Sequence, residues 1–190
     1  MSNSYSRFPF EMASGIEMLV LDVDGVMTEG QIIMDDCGEE SKAFNVRDGH
    51  GIKKLQRSGI SVAILTGRST KVVECRARAL GLEYVVKGSL RKADGIRDLC
   101  EQAGIAADRC AYMGDDVIDL PAMQQCRLTM APQDGHQGVL KKVNWVAGYS
   151  GGRGAVRQAA EGLILANGFW DKVIKDAYGL EPEDCGWKRS

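Results

Sequence analysis

The chain has 190 residues, is 44% hydrophobic, and sets 24 Lys and Arg against 26 Asp and Glu for a formal net charge of -2. A near-neutral chain with no basic stripe argues against a nucleic-acid partner. No apolar run nears the ~20 residues of a membrane span, so no membrane partner is expected either. A chain of this length buries roughly 70% of its unfolded surface without disulfide staples. Its six cysteines lack C-x-x-C spacing, which fits reduced thiols in a cytoplasmic protein.

Residues 1–14 are polar and aromatic, without the basic start and apolar core of a secretory leader. They read as a flexible arm ahead of one domain spanning 15–167. The first strong element is Met18-Leu19-Val20-Leu21, an apolar strand running into Asp22-Val23-Asp24-Gly25. A buried parallel strand reads as a continuous apolar run, and α/β sheets carry their chemistry at strand carboxyl ends. Two carboxylates there repel each other and lose hydration unless a cation or donors offset the cost, so a divalent metal is expected. An Asp-Gly turn is the plain alternative. Residues 31–34 and 40–46, around Asp35-Asp36-Cys37-Gly38, read as a β-hairpin projecting over the strand ends. A helix is expected after Asp48-Gly49-His50-Gly51, with Ile52 and Leu55 inward and Lys53, Lys54 and Arg57 outward.

A second apolar strand, 60–65, runs into Thr66-Gly67-Arg68-Ser69. A hydroxyl, a permissive glycine and free N–H groups at a helix start suit a phosphate. A helix near 69–80, a strand near 82–86 and a helix near 90–103 follow, and Lys92 offers a point charge as the last of these begins. A strand near 109–113 leads into Gly114-Asp115-Asp116-Val117-Ile118-Asp119, a second acidic cluster. A helix near 120–125, strands near 127–130 and 143–146, and a helix over 154–167 complete the domain; 168–190 form an extension. A lone Lys is most often solvated and a lone Thr-Gly most often a turn, but their succession at strand ends is specific. The alternation predicts an α/β doubly wound parallel sheet with helices on both faces, a β-hairpin insert and no large cap domain.

The segments Asp22-Val23-Asp24-Gly25-Val26, Thr66-Gly67-Arg68, Lys92 and Gly114-Asp115-Asp116-Val117-Ile118-Asp119 resemble the four motifs of the haloacid dehalogenase (HAD) superfamily of phosphohydrolases, over about 15–167. Segments 22–30, 44–52 and 151–157 are similar to its phosphatases of the eight-carbon 3-deoxy-D-manno-octulosonate 8-phosphate. That subfamily also includes phosphatases of nine-carbon keto sugar acid 9-phosphates. The resemblance implies a Rossmann-like core, a Mg²⁺ cofactor, a sugar phosphate substrate of lipopolysaccharide biosynthesis, and hydrolysis through an aspartyl-phosphate. It makes Asp22 the nucleophile, Asp24 general acid and then base, and Lys92 the balancing charge, with Thr66 and Gly67 on the phosphoryl oxygens. Asp22, Asp115 and the carbonyl of Asp24 become the metal ligands, while Asp116 and Asp119 orient water, Lys92 or the loop.

A substrate with a phosphate at one end and a carboxylate at the other needs a second cationic site. Arg47, Arg68, Arg153 and Arg157 are candidates, because Arg pairs bidentately with carboxylates. The glycines around Arg153 would let backbone approach a ligand; for Arg157 a solvent-facing helical position is the alternative. His50 stands where the family commonly has Tyr, and the chain runs past the family's short tail. The resemblance also implies a homotetramer with the hairpin between subunits. Ile32, Ile33 and Phe44 are too apolar for a fully exposed hairpin, with burial against their own domain as the alternative. A receiver-type signalling domain also groups aspartates, a Thr and a Lys around Mg²⁺. Its phosphorylated Asp, however, follows the acidic pair on a later strand, which disfavours that reading here.

Overall fold

The computed structural model describes residues 7–187. In chain order it contains α1 (Phe10–Ala13), β1 (Met18–Leu21), β2 (Ile33–Met34), β3 (Glu40–Ser41), α2 (Val46–Ser58), β4 (Ser61–Leu65), α3 (Lys71–Leu80) and β5 (Tyr84–Val86). There follow α4 (Lys92–Ala103), β6 (Cys110–Met113), α5 (Leu120–Met123), β7 (Leu128–Ala131), α6 (Gln137–Leu140), β8 (Trp145–Val146), α7 (Ala155–Ala166) and α8 (Asp176–Tyr178). Six strands form one parallel sheet in the order β5-β4-β1-β6-β7-β8, and β2 pairs antiparallel with β3 as the expected hairpin.

Strand alternation builds the layers. On β1, Leu19 and Leu21 face a core completed by Ile52 and Leu55 of α2, Val73 and Leu80 of α3, and Val156 and Leu163 of α7. Met18 and Val20 face the opposite core, completed by Ile96 and Leu99 of α4, Ala122 of α5 and Val139 of α6. A period of two thus divides one strand between two helical layers. All four β1 side chains are buried, as a central parallel strand requires. Its residues pair in register with β4 on one side and β6 on the other, so the ends of β1, β4 and β6 lie side by side. The strand order reverses at β1, the place where open α/β sheets leave a crevice for ligands.

Three expectations need correction. Helix α2 starts at Val46, not after Gly51: the Asn45 side chain accepts from Arg47 N–H at 2.8 Å and caps it. Tertiary contacts account for the two helical glycines, since a Cβ on Gly49 would lie 2.6 Å from the Arg76 guanidinium and one on Gly51 2.9 Å from the Arg157 backbone. Lys54 does not point to solvent but is buried, with its ammonium 3.9 Å from the Tyr178 ring centroid. The expected flexible arm divides: residues 1–6 lie outside the described residues, while Phe8 is buried in edge-on contact with Trp145 and Trp187. The C-terminal extension closes onto the same core through Trp170, Val173, Ile174 and Trp187. Its Trp187 indole N–H donates to Glu161 at 3.3 Å, and the other oxygen of that buried carboxylate accepts from Arg157.

Candidate active site

The carboxyl ends of β1, β4 and β6 bring Asp22, Thr66, Asp115 and Asp119 together, and the start of α4 adds Lys92. Asp22, Thr66, Lys92 and Asp119 are all buried. The Lys92 ammonium bridges Asp22 Oδ1 at 2.9 Å and Asp119 Oδ1 at 2.5 Å. Burial pulls the Lys92 pKa down, but the two carboxylates outweigh it and hold the ammonium above the ordinary lysine range.

Asp119 is saturated with donors. Besides Lys92 it accepts from the Tyr112 hydroxyl at 2.8 Å and from the backbone N–H groups of Asp115 and Asp116 at 3.1 and 3.2 Å. Asp115 differs: its Oδ1 is buried and has no hydrogen-bond partner. Although oxygens of Asp22, Asp115 and Asp119 lie within 4.8 Å of one another, the donor count separates them. Asp119 positions Lys92 and the loop, whereas Asp22 and Asp115 present oxygens suited to a hard divalent cation. Burial pushes the Asp22 pKa up to about 6, with Lys92 opposing and Asp119 reinforcing the shift. Burial, followed by repulsion from Asp22 and Asp119, takes Asp115 to about 7. This concentration of uncompensated charge is what a cation relieves.

Local sequence explains the closeness. Gly25 sits at φ 88, and a Cβ there would lie 2.1 Å from Asp115 Oδ2, so the glycine after the D-x-D pair gives the second acidic loop its place. Asp116 is exposed, and its Oδ1 accepts from Val117 N–H at 2.7 Å, so it shapes the loop. Thr66 Oγ1 accepts from Arg68 N–H at 3.2 Å, and Gly67 follows as the chain turns toward α3.

The arginines separate. Arg68 pairs with Glu40 of the hairpin, and its Nε lies 4.0 Å from Asp24 Oδ2. Arg47 is exposed on the first turn of α2. Arg153 pairs with Glu29 at 2.9 Å. Among the described residues, neither Arg47 nor Arg153 forms an ion pair with Asp22, Asp24 or Asp115. The glycines beside Arg153 sit in close backbone contacts. They make room for the chain itself: Gly152 N–H donates to Val26 carbonyl at 2.9 Å, and a Cβ on Gly151 would fall 1.7 Å from the Gly25 carbonyl oxygen. Arg157 is not simply solvent-facing either, since its guanidinium pairs with Glu161.

Sequence reasoning missed three polar groups. Tyr112 was legible only as strand. Lys42 and Glu40 were assigned to the hairpin alone, yet Lys42 Nζ lies 2.5 Å from Asp24 Oδ1 and 2.6 Å from Glu40 Oε1. A β-hairpin rich in charge beside an acidic strand end was the available signal.

Comparison with known proteins gives the family and the fold. The pattern of haloacid dehalogenase-like hydrolases matches residues 48–127. The chain is 45% identical over 161 residues to 3-deoxy-D-manno-octulosonate 8-phosphate phosphatase KdsC of Escherichia coli K12, covering 85% of this chain and 86% of that protein. The crystal structure of 3-deoxy-D-manno-octulosonate 8-phosphate phosphatase from Yersinia pestis superposes with a TM-score of 0.83 at 42% identity, over 85% of this chain and 88% of that one. The Moraxella catarrhalis phosphatase of the same name, solved in complex with a magnesium ion, a phosphate ion and a KDO molecule, gives 0.85 at 35% identity, over 88% and 97%. The chain belongs to the haloacid dehalogenase-like hydrolases and, within them, to the 3-deoxy-D-manno-octulosonate 8-phosphate phosphatase family.

Proposed function

We propose that this chain is a Mg²⁺-dependent phosphomonoesterase that hydrolyses 3-deoxy-D-manno-octulosonate 8-phosphate to the free sugar acid and phosphate, serving lipopolysaccharide biosynthesis in the cytoplasm. The observation that carries the reaction type is the buried Lys92 bridge between Asp22 and Asp119, beside an Asp115 oxygen with no protein donor. Asp22, Asp115 and the main-chain carbonyl of Asp24 would hold Mg²⁺, which supplies the positive charge that lets an anionic phosphoester meet an anionic carboxylate.

In this reading an Asp22 carboxylate oxygen attacks phosphorus, the P–O bond to the sugar breaks, and Asp24 delivers a proton to the leaving oxygen. Water then attacks the phosphorus of the aspartyl-phosphate and gives its proton to Asp24, which frees phosphate and restores Asp22. Thr66 Oγ1 and the Gly67 N–H hold phosphoryl oxygens, while Lys92 keeps Asp22 aimed and balances charge. Asp116 and Asp119 support the loop and Lys92. The proposed readers of the sugar-acid carboxylate are Arg47 and Arg68, with Arg153 available on release from Glu29. Positioning and electrostatics carry the rate, because phosphomonoester hydrolysis is among the slowest uncatalysed reactions.

A homotetramer accompanies this function. Ile32, Ile33, Met34, Val46, Leu90, Val117, Ile118 and Tyr149 are large apolar side chains left exposed. All belong to segments that follow strand carboxyl ends in the chain, and they suit burial by further copies of the chain. The test of substrate is Mg²⁺-dependent phosphate release from the eight-carbon acid phosphate, its nine-carbon analogue and simple sugar phosphates. The reading expects strong preference for the first; equal rates, or preference for the longer sugar, would discard the substrate assignment.

A further inference from the structure

The hairpin's exposed strand β2 and its buried cation pull in different directions. Ile33 and Met34 are 45% and 61% exposed, while the Lys42 side chain, just past β3, is fully buried. A buried ammonium has to be met by acceptors. Lys42 donates to Asp24 Oδ1 at 2.5 Å and forms an ion pair with Glu40 Oε1 at 2.6 Å. Arg68, from the loop after β4, takes Glu40 Oε2, and its Nε stands 4.0 Å from Asp24 Oδ2. The four charges alternate around a closed ring in which each Asp24 oxygen faces a cation.

The two carboxylates of the D-x-D pair therefore have separate cations. Asp22 has Lys92 from the core, and Asp24 has Lys42 from the insert. Asp24 follows the strand on a loop and is 26% exposed at its side chain, so local backbone alone leaves its χ angles free. An acid or base loses efficiency quickly when misplaced by about 1 Å. The geometry points to Lys42, oriented by Glu40, as a positioning residue for Asp24, so that hairpin docking and an aimed acid–base group are one event. This rests on the acid–base reading of Asp24.

The test is a double-mutant cycle on the full-length protein with Mg²⁺ and 3-deoxy-D-manno-octulosonate 8-phosphate, using Lys42→Met, Asp24→Asn and both together, with thermal melts on each. Lys42→Met is expected to lower kcat by about 10–100-fold with KM within about twofold, part of the roughly 10²–10⁴-fold that an aimed acid–base group contributes. Adding it to Asp24→Asn should cost less than about twofold more, because the group it positions is already lost. Lys42→Arg should recover most of kcat. Full additivity with an impaired Asp24→Asn, or a loss confined to KM, overturns the Lys42 proposal alone. Wild-type kcat in Asp24→Asn overturns the acid–base reading beneath it. If Lys42→Met melts too low to assay, Glu40→Gln replaces it in the cycle, and additivity there overturns the proposal equally.

Discussion

Asp22 and Asp115 carry the clearest residue-scale consequence. With pKa values raised to about 6 and about 7 in the metal-free fold, against ~3.9 in an unfolded chain, both bind protons more tightly folded than unfolded. Between about pH 4 and 7 the native state thus holds more protons, so stability falls as pH rises through that window. A cation at these oxygens reverses the cost and competes with the same protons. The melting-temperature gain from Mg²⁺ should therefore be small at pH 5 and larger at pH 8, measured by calorimetry at fixed Mg²⁺. An equal gain at both values would contradict the assignment of these two carboxylates. The sequence made Asp22, Asp24, Thr66, Lys92 and Asp115 legible because each follows or opens an element whose end points one way. Lys42 was not legible, because its partner Asp24 is 18 residues away across a hairpin whose docking angle no local pattern encodes.

At the scale of elements, helices α2 and α7 act as one brace for the loop that follows β1. Asp48 of α2 accepts from Gly154 N–H at 3.3 Å and Arg157 N–H at 2.8 Å, closing the start of α7 from 106 residues away. Asn45 Nδ2 donates to the Gly152 carbonyl at 2.9 Å, and Gly151 and Gly152 lie directly against the backbone of 25–29. Two segments that looked like substrate motifs in the sequence are thus bound to each other. Asp48→Ala leaves two N–H groups without that acceptor, at about 1–3 kcal/mol each if buried. The expected result is a melting temperature lower by several degrees, since 1 kcal/mol is worth roughly 2–4 °C at this size. An unchanged melt would show that α7 is capped otherwise. Gly151→Ala should be harsher, because the contact it violates is backbone on backbone and has no flexible side chain to yield. A soluble variant with wild-type kcat would refute that packing. Strand and helix positions were readable from periodicity, but the partners of the glycines were not, since Gly-rich text fits a ligand and a close-packed backbone equally well.

For the whole molecule, the exposed apolar side chains and the ends matter most. Phe44, read as apolar hairpin, packs on its own domain beneath the Arg76 guanidinium, 5.3 Å from the ring centroid, whereas Ile32 and Met34 remain 59% and 61% exposed. If further copies cover those two, the pair Ile32→Asp and Met34→Asp should shift the sedimenting species from tetramer to smaller forms. A wild-type monomer at assay concentration would refute the assembly. At the opposite end, Phe8, Trp145 and Trp187 join residues near both termini. Phe8→Ala should cost about 3–5 kcal/mol, read from denaturant midpoints, and a change below about 1 kcal/mol would place that cluster outside the cooperative fold. These ends carry no periodic signal, because single aromatics joining through space leave no local pattern.

The proposed attack of Asp22 on phosphorus is checked by phosphate release from 3-deoxy-D-manno-octulosonate 8-phosphate with Mg²⁺. Wild type and Asp22→Asn, matched by thermal melt, are compared in the same assay. Asp22→Asn is expected to lose at least about 10⁴-fold in kcat, the scale seen when a nucleophile is removed from a cooperating set. Sustained turnover by Asp22→Asn, with deamidation excluded by intact mass, would rule out Asp22 as the nucleophile.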